Sequence, residues 1–372
     1  MTIYLLDPGL RHMSGHHMHM VLSLKAALAA RGQSVRVLGH RGMSADHVES
    51  CQAEAVFSVG TYEALSDDPL CGPFETLLAG GPALAADLRD VSPVDGDVLV
   101  WLTANPTQVL ATSLCLPRWP TRVLTLFVGA LPIIGLDAVA WRFAWRRMPG
   151  GALKSVAATA RMMGQAYVDA LNHPVILCPS THESPVRDRR GAAPVVIGVL
   201  GHQRPGKGIQ HIEEVVRRAG PEVRWIVQDG GHDAPGVINA LSAFANVETL
   251  RGPVVDWNGL LSRCDALLMP YDRAPYHGMH SGLVAEALSG GMPMVFPDTP
   301  ALMEQSEGGG RVAYSGDGPD AMVAAVRDLV ERFDENASIA LAQSALYRTR
   351  NGPERWADWL LQHAAKSLSP GI

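Results

Sequence analysis

Short apolar segments alternate with helical stretches along almost the whole chain, and they form two series. In the first series the predicted strands are about residues 2–6, 35–38, 55–59, 98–102, 123–127 and 175–178. In the second series they are about residues 195–200, 223–228, 247–250, 266–269, 294–296 and 311–314. Strands rich in Val, Leu and Ile that are separated by helices indicate parallel sheets covered on both faces. The sequence therefore predicts two doubly wound α/β domains.

The length of the chain and a polar segment near its middle predict where these domains join. A chain of 372 residues is too long for one ordinary hydrophobic core. Residues 181–194 are polar, contain prolines and lack hydrophobic periodicity, so we interpret them as a linker. We expect one domain over residues 1–180 and another over residues 195–344. The two would face a central cleft that receives ligands at the carboxyl ends of both sheets.

The composition of the chain argues against several classes of protein. The net charge of −6 and the pI of about 6.1 argue against nucleic acid as a partner. The five cysteines are scattered without metal-type spacing, which favours reduced thiols and neither disulfides nor zinc. The uncharged run 123–136 is too short to span a membrane. Because the sequence opens on a strand, we expect no signal peptide and a cytoplasmic location.

The segment Asp265–Pro297 carries the strongest functional pattern. It predicts a strand, a glycine-bearing loop, a short helix opened by Ser281 and Gly282, and a second strand. A helix that begins on small residues leaves backbone N–H groups for an anion. Glu286 follows one turn later, on the same face as Gly282. The pattern indicates a place where a phosphate and a sugar hydroxyl bind together.

Two further loops follow strands of the same predicted sheet. In the stretch GVLGHQRPGKG, Gly201 permits a turn while Arg204 and Lys207 present cations suited to a pyrophosphate. The alternative is a surface loop with two solvated charges, and the pattern is not that of a Walker loop. The loop that contains Gly252 and Val254 could wall a nucleobase or be an ordinary turn.

Residues 195–300 resemble the retaining nucleotide-sugar glycosyltransferases of family 4, which have the GT-B fold of two Rossmann-like domains. The resemblance rests on a strand, a GxxRxxKG loop and a helix, then LRGPV at a strand end, then DALLMPY and SGLVAEALSGGMPMV. The first half is similar in pattern only, through GLRHMSGHHMHM and ALAARGQSVRVL. The resemblance also implies that the final helical segment, 345–372, packs back onto the first domain.

The resemblance implies roles for individual residues. Glu286 would hold the ribose hydroxyls, beside the candidate nucleobase loop of Gly252 and Val254. The diphosphate would be bound by Gly15, Arg204 and Lys207 and by the amides of Gly282, Leu283 and Val284. Neither a metal nor a cofactor is implied.

One position departs from the family pattern. The family carries two glutamates separated by seven residues, and Gly278 stands where the first would be. His277 or His280 could take over the contact with the donor sugar. His16 and His17 of the N-terminal loop are candidates for a contact with sugar or acceptor, and with His280 they are our catalytic candidates. The alternatives for the loop are a solvent-facing polar segment or a chance affinity for metal, although its spacing matches no zinc motif.

The resemblance implies the activity of a retaining hexosyltransferase. It would move a sugar from a UDP- or GDP-linked donor to a glycan or a lipid-linked acceptor. No metal would be needed, because cations and a helix end stabilise the leaving diphosphate, and a front-face attack needs no enzyme nucleophile. The alternatives are a nucleotide-sugar epimerase or phosphorylase, and a non-catalytic protein that binds sugar nucleotides or glycans.

A helical stretch near residue 140 raises the question of a membrane surface. It places Trp141 and Trp145 one turn apart, beside Arg142 and Arg146. Aromatic and basic stripes side by side are typical of helices that lie on anionic lipid. The alternative is a core helix whose arginines are solvated. The first interpretation predicts a peripheral contact with the inner face of the membrane.

Overall fold

The structure of the protein is a computed structural model that describes residues 1–11, 16–66, 68, 71–129, 133, 136–201, 206–229, 235–252 and 254–369. The chain divides into two compact units, Met1–Thr181 with Pro353–Ile372, and His182–Gly352. Each unit is built on a parallel sheet whose strands alternate with helices along the chain. The predicted α/β class with two doubly wound domains is confirmed.

The described residues of the first domain form a seven-stranded sheet in the order β3-β2-β1-β4-β5-β6-β7. Its strands are β1 (Thr2–Leu6), β2 (Ser34–His40), β3 (Ala53–Phe57), β4 (Val98–Ala104), β5 (Leu124–Gly129), β6 (Lys154–Ala158) and β7 (Val175–Leu177). The helices between them are α1 (His16–Ala29), α2 (Ala45–Cys51), α3 (Gly72–Asp87), α4 (Pro106–Cys115), α5 (Leu136–Arg147) and α6 (Arg161–Leu171). The strand order turns back beside β1, which makes the loop after β1 a usual place for a ligand. The sequence did not predict β6, because Val156 is its one large apolar residue.

In the second domain the residues that the structure describes form a six-stranded sheet in the order β10-β9-β8-β11-β12-β13. Its strands are β8 (Val195–Val199), β9 (Val223–Asp229), β10 (Val247–Arg251), β11 (Ala266–Leu268), β12 (Met294–Pro297) and β13 (Arg311–Tyr314). Its helices are α7 (Ile212–Ala219), α8 (Pro235–Leu241), α9 (Trp257–Ser262), α10 (Arg273–Tyr276), α11 (Gly282–Gly290), α12 (Pro300–Gln305), α13 (Pro319–Glu331) and α14 (Phe333–Arg350). The order turns back between β8 and β11, so the loops after these two strands meet at one edge.

The segment that the sequence suggests as a linker is largely part of the second domain, which begins at His182. Arg189 is buried and donates hydrogen bonds to the carbonyl oxygens of Cys264, at 3.1 Å, and Gly290, at 2.8 Å. Arg187 forms an ion pair with Asp265 at 3.0 Å. Two arginines therefore fasten this irregular segment to the start of β11 and the end of α11.

The last helical stretch is interrupted where the chain returns to the first domain. Helix α14 ends at Arg350, and α15 (Pro353–Leu368) begins after Gly352, whose φ is +105°. Proline is favoured at the first helical position and cannot continue a preceding helix. Trp356 and Leu360 of α15 are buried in the same core cluster as Leu24 of α1. The returning segment therefore starts at Pro353, and not at residue 345.

Helix α5 corrects the proposed role of its tryptophans. Trp141 and Trp145 are both buried. The Trp141 ring packs edge-to-face on Tyr167 with centroids 5.0 Å apart, and Arg142 donates to the carbonyl oxygen of Ala170 at 2.9 Å. The prediction that these tryptophans contact a membrane is therefore wrong, because their side chains pack into the core. In the part of the chain that the structure describes, no helix has the length and hydropathy to cross a membrane.

Candidate functional site

Close contacts are described at the two ends of the glycine loop after β8, Gly201 and Gly208. Gly201 has a φ of +91°, and its N–H donates to Oε1 of Gln228 over 2.8 Å. Gly208 has a φ of +67°, and a Cβ there would lie 1.5 Å from the carbonyl oxygen of Pro270. Only glycine suits that position, because any side chain would meet backbone. The end of the loop at Gly208 therefore lies against the segment that joins β11 to α11.

Lys207 lies beside the start of α11. Its Nζ is 5.8 Å from the centroid of the Tyr271 ring and 3.4 Å from where a Cβ on Gly201 would lie. The Tyr271 hydroxyl is 2.9 Å from Oγ of Ser281, which is the N-cap of α11. One aromatic side chain therefore links the cation to the helix start. Arg204, the other predicted cation, lies outside the described residues.

The first turn of α11 presents backbone donors. The N–H of Ser281 donates to Oε1 of Gln305 at 2.9 Å, and Nε2 of Gln305 donates back to the Ser281 carbonyl at 2.8 Å. The first helical bond runs from Ala285 N–H to the Ser281 carbonyl. No acceptor among the described residues takes the amides of the three intervening positions, Gly282, Leu283 and Val284. These amides and the helix dipole suit an anion.

His182 was not identified from the sequence, because it stands in the segment interpreted as a linker. Its Nε2 lies 2.9 Å from where a Cβ on Gly282 would be, so a side chain at residue 282 would collide with the ring. Burial lowers the pKa of His182 to about 4. The imidazole is therefore neutral at pH 7 and sits beside the helix start without adding charge.

His280 and Gly278 lie in the loop before α11. Burial lowers the pKa of His280 to about 4, and its Nε2 makes no hydrogen bond within the described part of the chain. A Cβ on Gly278 would meet nothing within 4 Å. Space alone therefore does not exclude the carboxylate that the family pattern has at this position.

The Glu286 carboxylate has a partner that sequence reasoning missed. Nε1 of Trp257 donates a hydrogen bond to Oε2 of Glu286. Burial raises the pKa of Glu286 to about 7, while the hydrogen bond from Trp257 acts in the opposite direction. Trp257 begins α9, directly after the loop that carries Gly252 and Val254. Val254 and Trp257 are half-buried against the same core cluster, so this loop and Glu286 belong to one side of the domain.

In the first domain, Asp7 and His17 form a hydrogen-bonded pair at the carboxyl end of β1. Asp7 is fully buried, and its Oδ2 lies 2.8 Å from Nδ1 of His17 on α1. Its other oxygen accepts the N–H of Gly9 at 2.9 Å. A Cβ on Gly9 would lie 2.3 Å from the His17 ring, so glycine makes room for the imidazole. The Tyr62 ring packs edge-on against His17 with centroids 5.6 Å apart.

This pairing sets the chemistry of the imidazole. An ionised carboxylate only accepts hydrogen bonds, so Nδ1 of His17 carries the proton in its neutral form. Nε2 then carries the lone pair and can accept a proton from a substrate hydroxyl. A buried aspartate that orients a histidine in this way favours general base chemistry. Of the other N-terminal candidates, Gly15 and the side chain of His16 lie outside the described residues.

The described residues thus bring together most of the predicted donor site. Lys207, the three α11 amides and Glu286 follow strands of one sheet edge in the second domain, and Gly252 and Val254 lie on a neighbouring loop. His17 belongs to the first domain. Among the described residues, no group of three or more His, Cys, Asp or Glu side chains is placed to hold a metal ion.

No protein-family model and no curated protein matches the chain. Solved structures do resemble it. Anabaena HepE in complex with UDP has a TM-score of 0.67 at 14% identity, covering 98% of this chain and 99% of that one. A glycosyltransferase from Rickettsia africae has a TM-score of 0.68 at 12% identity, and the match covers 100% of this chain and 99% of that one. A protein from Listeria monocytogenes described as a UDP-N-acetylglucosamine 2-epimerase has a TM-score of 0.61 at 12% identity, covering 98% of this chain and 96% of that one. At these identities the likeness shows the fold, which is GT-B.

Proposed function

We propose that the protein is a glycosyltransferase that moves a sugar from a nucleotide diphosphate sugar to a hydroxyl of a glycan or a lipid-linked acceptor. The observation that carries the proposal is the grouping of Lys207, the α11 amides and Glu286 at one edge of the second sheet. A cation and helix amides suit a diphosphate, and a carboxylate suits a ribose diol. The UDP and UDP-glucose bound to HepE on the same fold support a uridine nucleotide as the donor.

The second domain would stabilise the leaving group. When the bond from the anomeric carbon to the phosphate oxygen breaks, negative charge builds up on the diphosphate. Lys207 and the amides of α11 are fixed before the reaction, so they stabilise this charge without reorganising. Arg204 would add a further cation, and His280 would contact the sugar. The proposed reaction therefore requires no metal.

The first domain would act on the acceptor. As the acceptor oxygen bonds to the anomeric carbon, its proton passes to Nε2 of His17, and Asp7 stabilises the imidazolium. We propose retention of anomeric configuration, because residues 195–300 resemble retaining enzymes. A proton acceptor on the hydroxyl is compatible with attack on the leaving-group face, which requires no nucleophilic side chain.

Nucleotide binding is the first test. With EDTA present, UDP or UDP-glucose at about 100 times its Kd is expected to stabilise the protein by about 2.7 kcal/mol and to raise Tm by about 5–10 °C. Differential scanning fluorimetry with UDP, GDP and ADP and their sugars measures the shift and ranks the bases. The absence of a shift with every nucleotide would exclude the transferase.

Transfer itself separates the proposal from its rivals. Release of the nucleoside diphosphate should require an acceptor, and NMR of the product should show the anomeric configuration of the donor. Formation of an epimer without an acceptor would instead identify an epimerase, and binding without turnover on any acceptor would identify a non-catalytic binding protein. An inverted product would contradict retention while leaving the transferase intact.

We propose that exposed side chains of α5 contact an anionic membrane surface, where a lipid-linked acceptor would lie. Leu136 and Val139 are exposed on this helix, as are Arg146 and Arg147. Apolar and basic side chains on one exposed helix suit anionic headgroups. We expect sedimentation with vesicles that contain phosphatidylglycerol, but not with neutral vesicles. Replacing Arg146 and Arg147 with Glu should abolish it, and equal sedimentation of that variant would rule out α5 as the contact.

A further inference from the structure

Among the described residues, one hydrogen bond holds the Glu286 carboxylate, and it reaches a single oxygen. Oε2 accepts the indole N–H of Trp257, while Oε1 makes no hydrogen bond to the described residues. Gly282 lies one turn before Glu286 on the same helix, so no side chain from that position covers the carboxylate. The arrangement leaves one oxygen in a fixed direction for a ligand.

We propose that Trp257 is a positioning residue for ribose recognition: its indole N–H holds one oxygen of Glu286 and turns the other toward the ribose hydroxyls. The inference rests on the proposed function, because it needs a nucleotide in the second domain. Trp257 itself acts through Glu286 and need not touch the ligand.

The start of α9 fixes Trp257 before any ligand arrives. Asp256 caps the helix, and its Oδ1 accepts the N–H of Gly259 at 2.8 Å. A Cβ on Gly259 would lie 2.1 Å from Oδ2 of Asp256, so any larger residue there would displace the capping side chain. Leu260 and Leu261 are buried and anchor the short helix in the core. The indole is therefore presented by a preformed turn, and its direction does not depend on substrate.

The hydrogen bond from Trp257 also affects whether Glu286 is ionised or protonated when it binds the ribose. A carboxyl group in an apolar site prefers to be neutral, and burial raises the pKa of Glu286 to about 7. An N–H donor stabilises the ionised form, and ionised acceptors form stronger hydrogen bonds with hydroxyls than neutral ones do. Loss of the indole N–H would therefore free the Glu286 side chain to change its orientation, and it would favour protonation of Glu286 near neutral pH.

Trp257→Phe tests the inference, and Trp225→Phe is its matched control. Trp225 lies buried in β9 of the same domain, and its Nε1 makes no hydrogen bond within the described residues. Both variants remove an indole from one domain, but only the first removes a donor from Glu286. Calorimetric titration at pH 8 with UDP and 2′-deoxy-UDP measures the contribution of one ribose hydroxyl. If GDP gives a larger thermal shift than UDP, the two titrated ligands are GDP and 2′-deoxy-GDP instead.

The wild type is expected to prefer UDP over 2′-deoxy-UDP by about tenfold or more, as befits a hydrogen bond to a charged group. Trp257→Phe should reduce this preference to about twofold, and Trp225→Phe should keep it. Circular dichroism and Tm of the ligand-free variants show that both fold. A wild-type preference in Trp257→Phe would overturn the inference, as would an equal loss in Trp225→Phe.

The pH profile supplies a readout that a purely structural role would not move. UDP-glucose is the probe, because it lacks the terminal phosphate that titrates near pH 6 in UDP. Its affinity should weaken as the pH falls through about 7, where Glu286 takes up a proton. The midpoint should rise in Trp257→Phe, and the dependence should vanish in Glu286→Gln. An unchanged midpoint would contradict the inference alone, whereas a wild type that binds no nucleotide would contradict the proposed function.

Discussion

Replacing His17 with Gln is expected to slow glycosyl transfer by about 10²–10⁴-fold, the usual contribution of a positioned base. The reason is that Nε2 would no longer accept the proton of the attacking hydroxyl. Donor affinity should be unchanged, because His17 belongs to the first domain and the nucleotide is assigned to the second. Initial rates over a range of acceptor and donor concentrations measure kcat and both KM values.

Asp7→Asn is the companion variant, since it keeps the shape of the pair but removes the carboxylate that fixes the tautomer of His17. It should also lose most of kcat, and the double variant should be little worse than either single one, because the two residues act as a unit. His363→Gln is the control, as that histidine bonds to Ser155 elsewhere in the same domain. Full activity of His17→Gln, or equal losses in His363→Gln, would remove His17 from the mechanism.

Replacing Lys207 with Met is expected to weaken UDP binding by about 10–100-fold, which corresponds to about 1.5–3 kcal/mol for a hydrogen bond to a charged group. Methionine keeps much of the apolar stem beside Tyr271 but removes the charge. Isothermal titration with UDP and with uridine separates the contribution of the diphosphate to the binding free energy from that of the nucleoside. The loss should appear with UDP and not with uridine, because only the diphosphate requires a cation.

Arg217→Met is the control for general electrostatics. Arg217 lies exposed on α7 of the same domain, paired with Glu213 and Glu214. Arg217→Met should bind UDP with an affinity within about twofold of the wild type, because exposed ion pairs contribute little free energy. If Lys207→Met and Arg217→Met weaken UDP equally, or if Lys207→Met weakens uridine as much as UDP, Lys207 does not contact the diphosphate. A large fall in the Tm of ligand-free Lys207→Met would mark a structural role instead.

Local pattern predicted the second domain well. Its six strands lie close to the positions indicated by apolar runs, and α11 begins at Gly282 as the small residues suggested. These features depend on neighbours in sequence, so they can be read from spacing. Strand β6 could not be read in this way, because Lys154 and two alanines dilute its apolar signal.

The side-chain partners could not be predicted, because each joins residues that are distant in the chain. Trp257 and Glu286 are 29 positions apart. An aspartate at the end of β1 was visible in the sequence, but only the path of the chain through Gly9 shows that it meets His17. The tryptophans of α5 show the same limit, since a helical stripe does not reveal which face packs inward.

The route of the chain between the domains sets the order in which they can finish folding during synthesis. Trp356 and Leu360 of α15 belong to the core of the first domain, so that core is incomplete until α15 has left the ribosome. The second domain ends at Gly352 and has all its strands before that point. Domains made first usually fold first, but of these two domains the one that is started earlier is completed later, because it needs α15. A ribosome that stops after Gly352 would release a finished second domain attached to an incomplete first one.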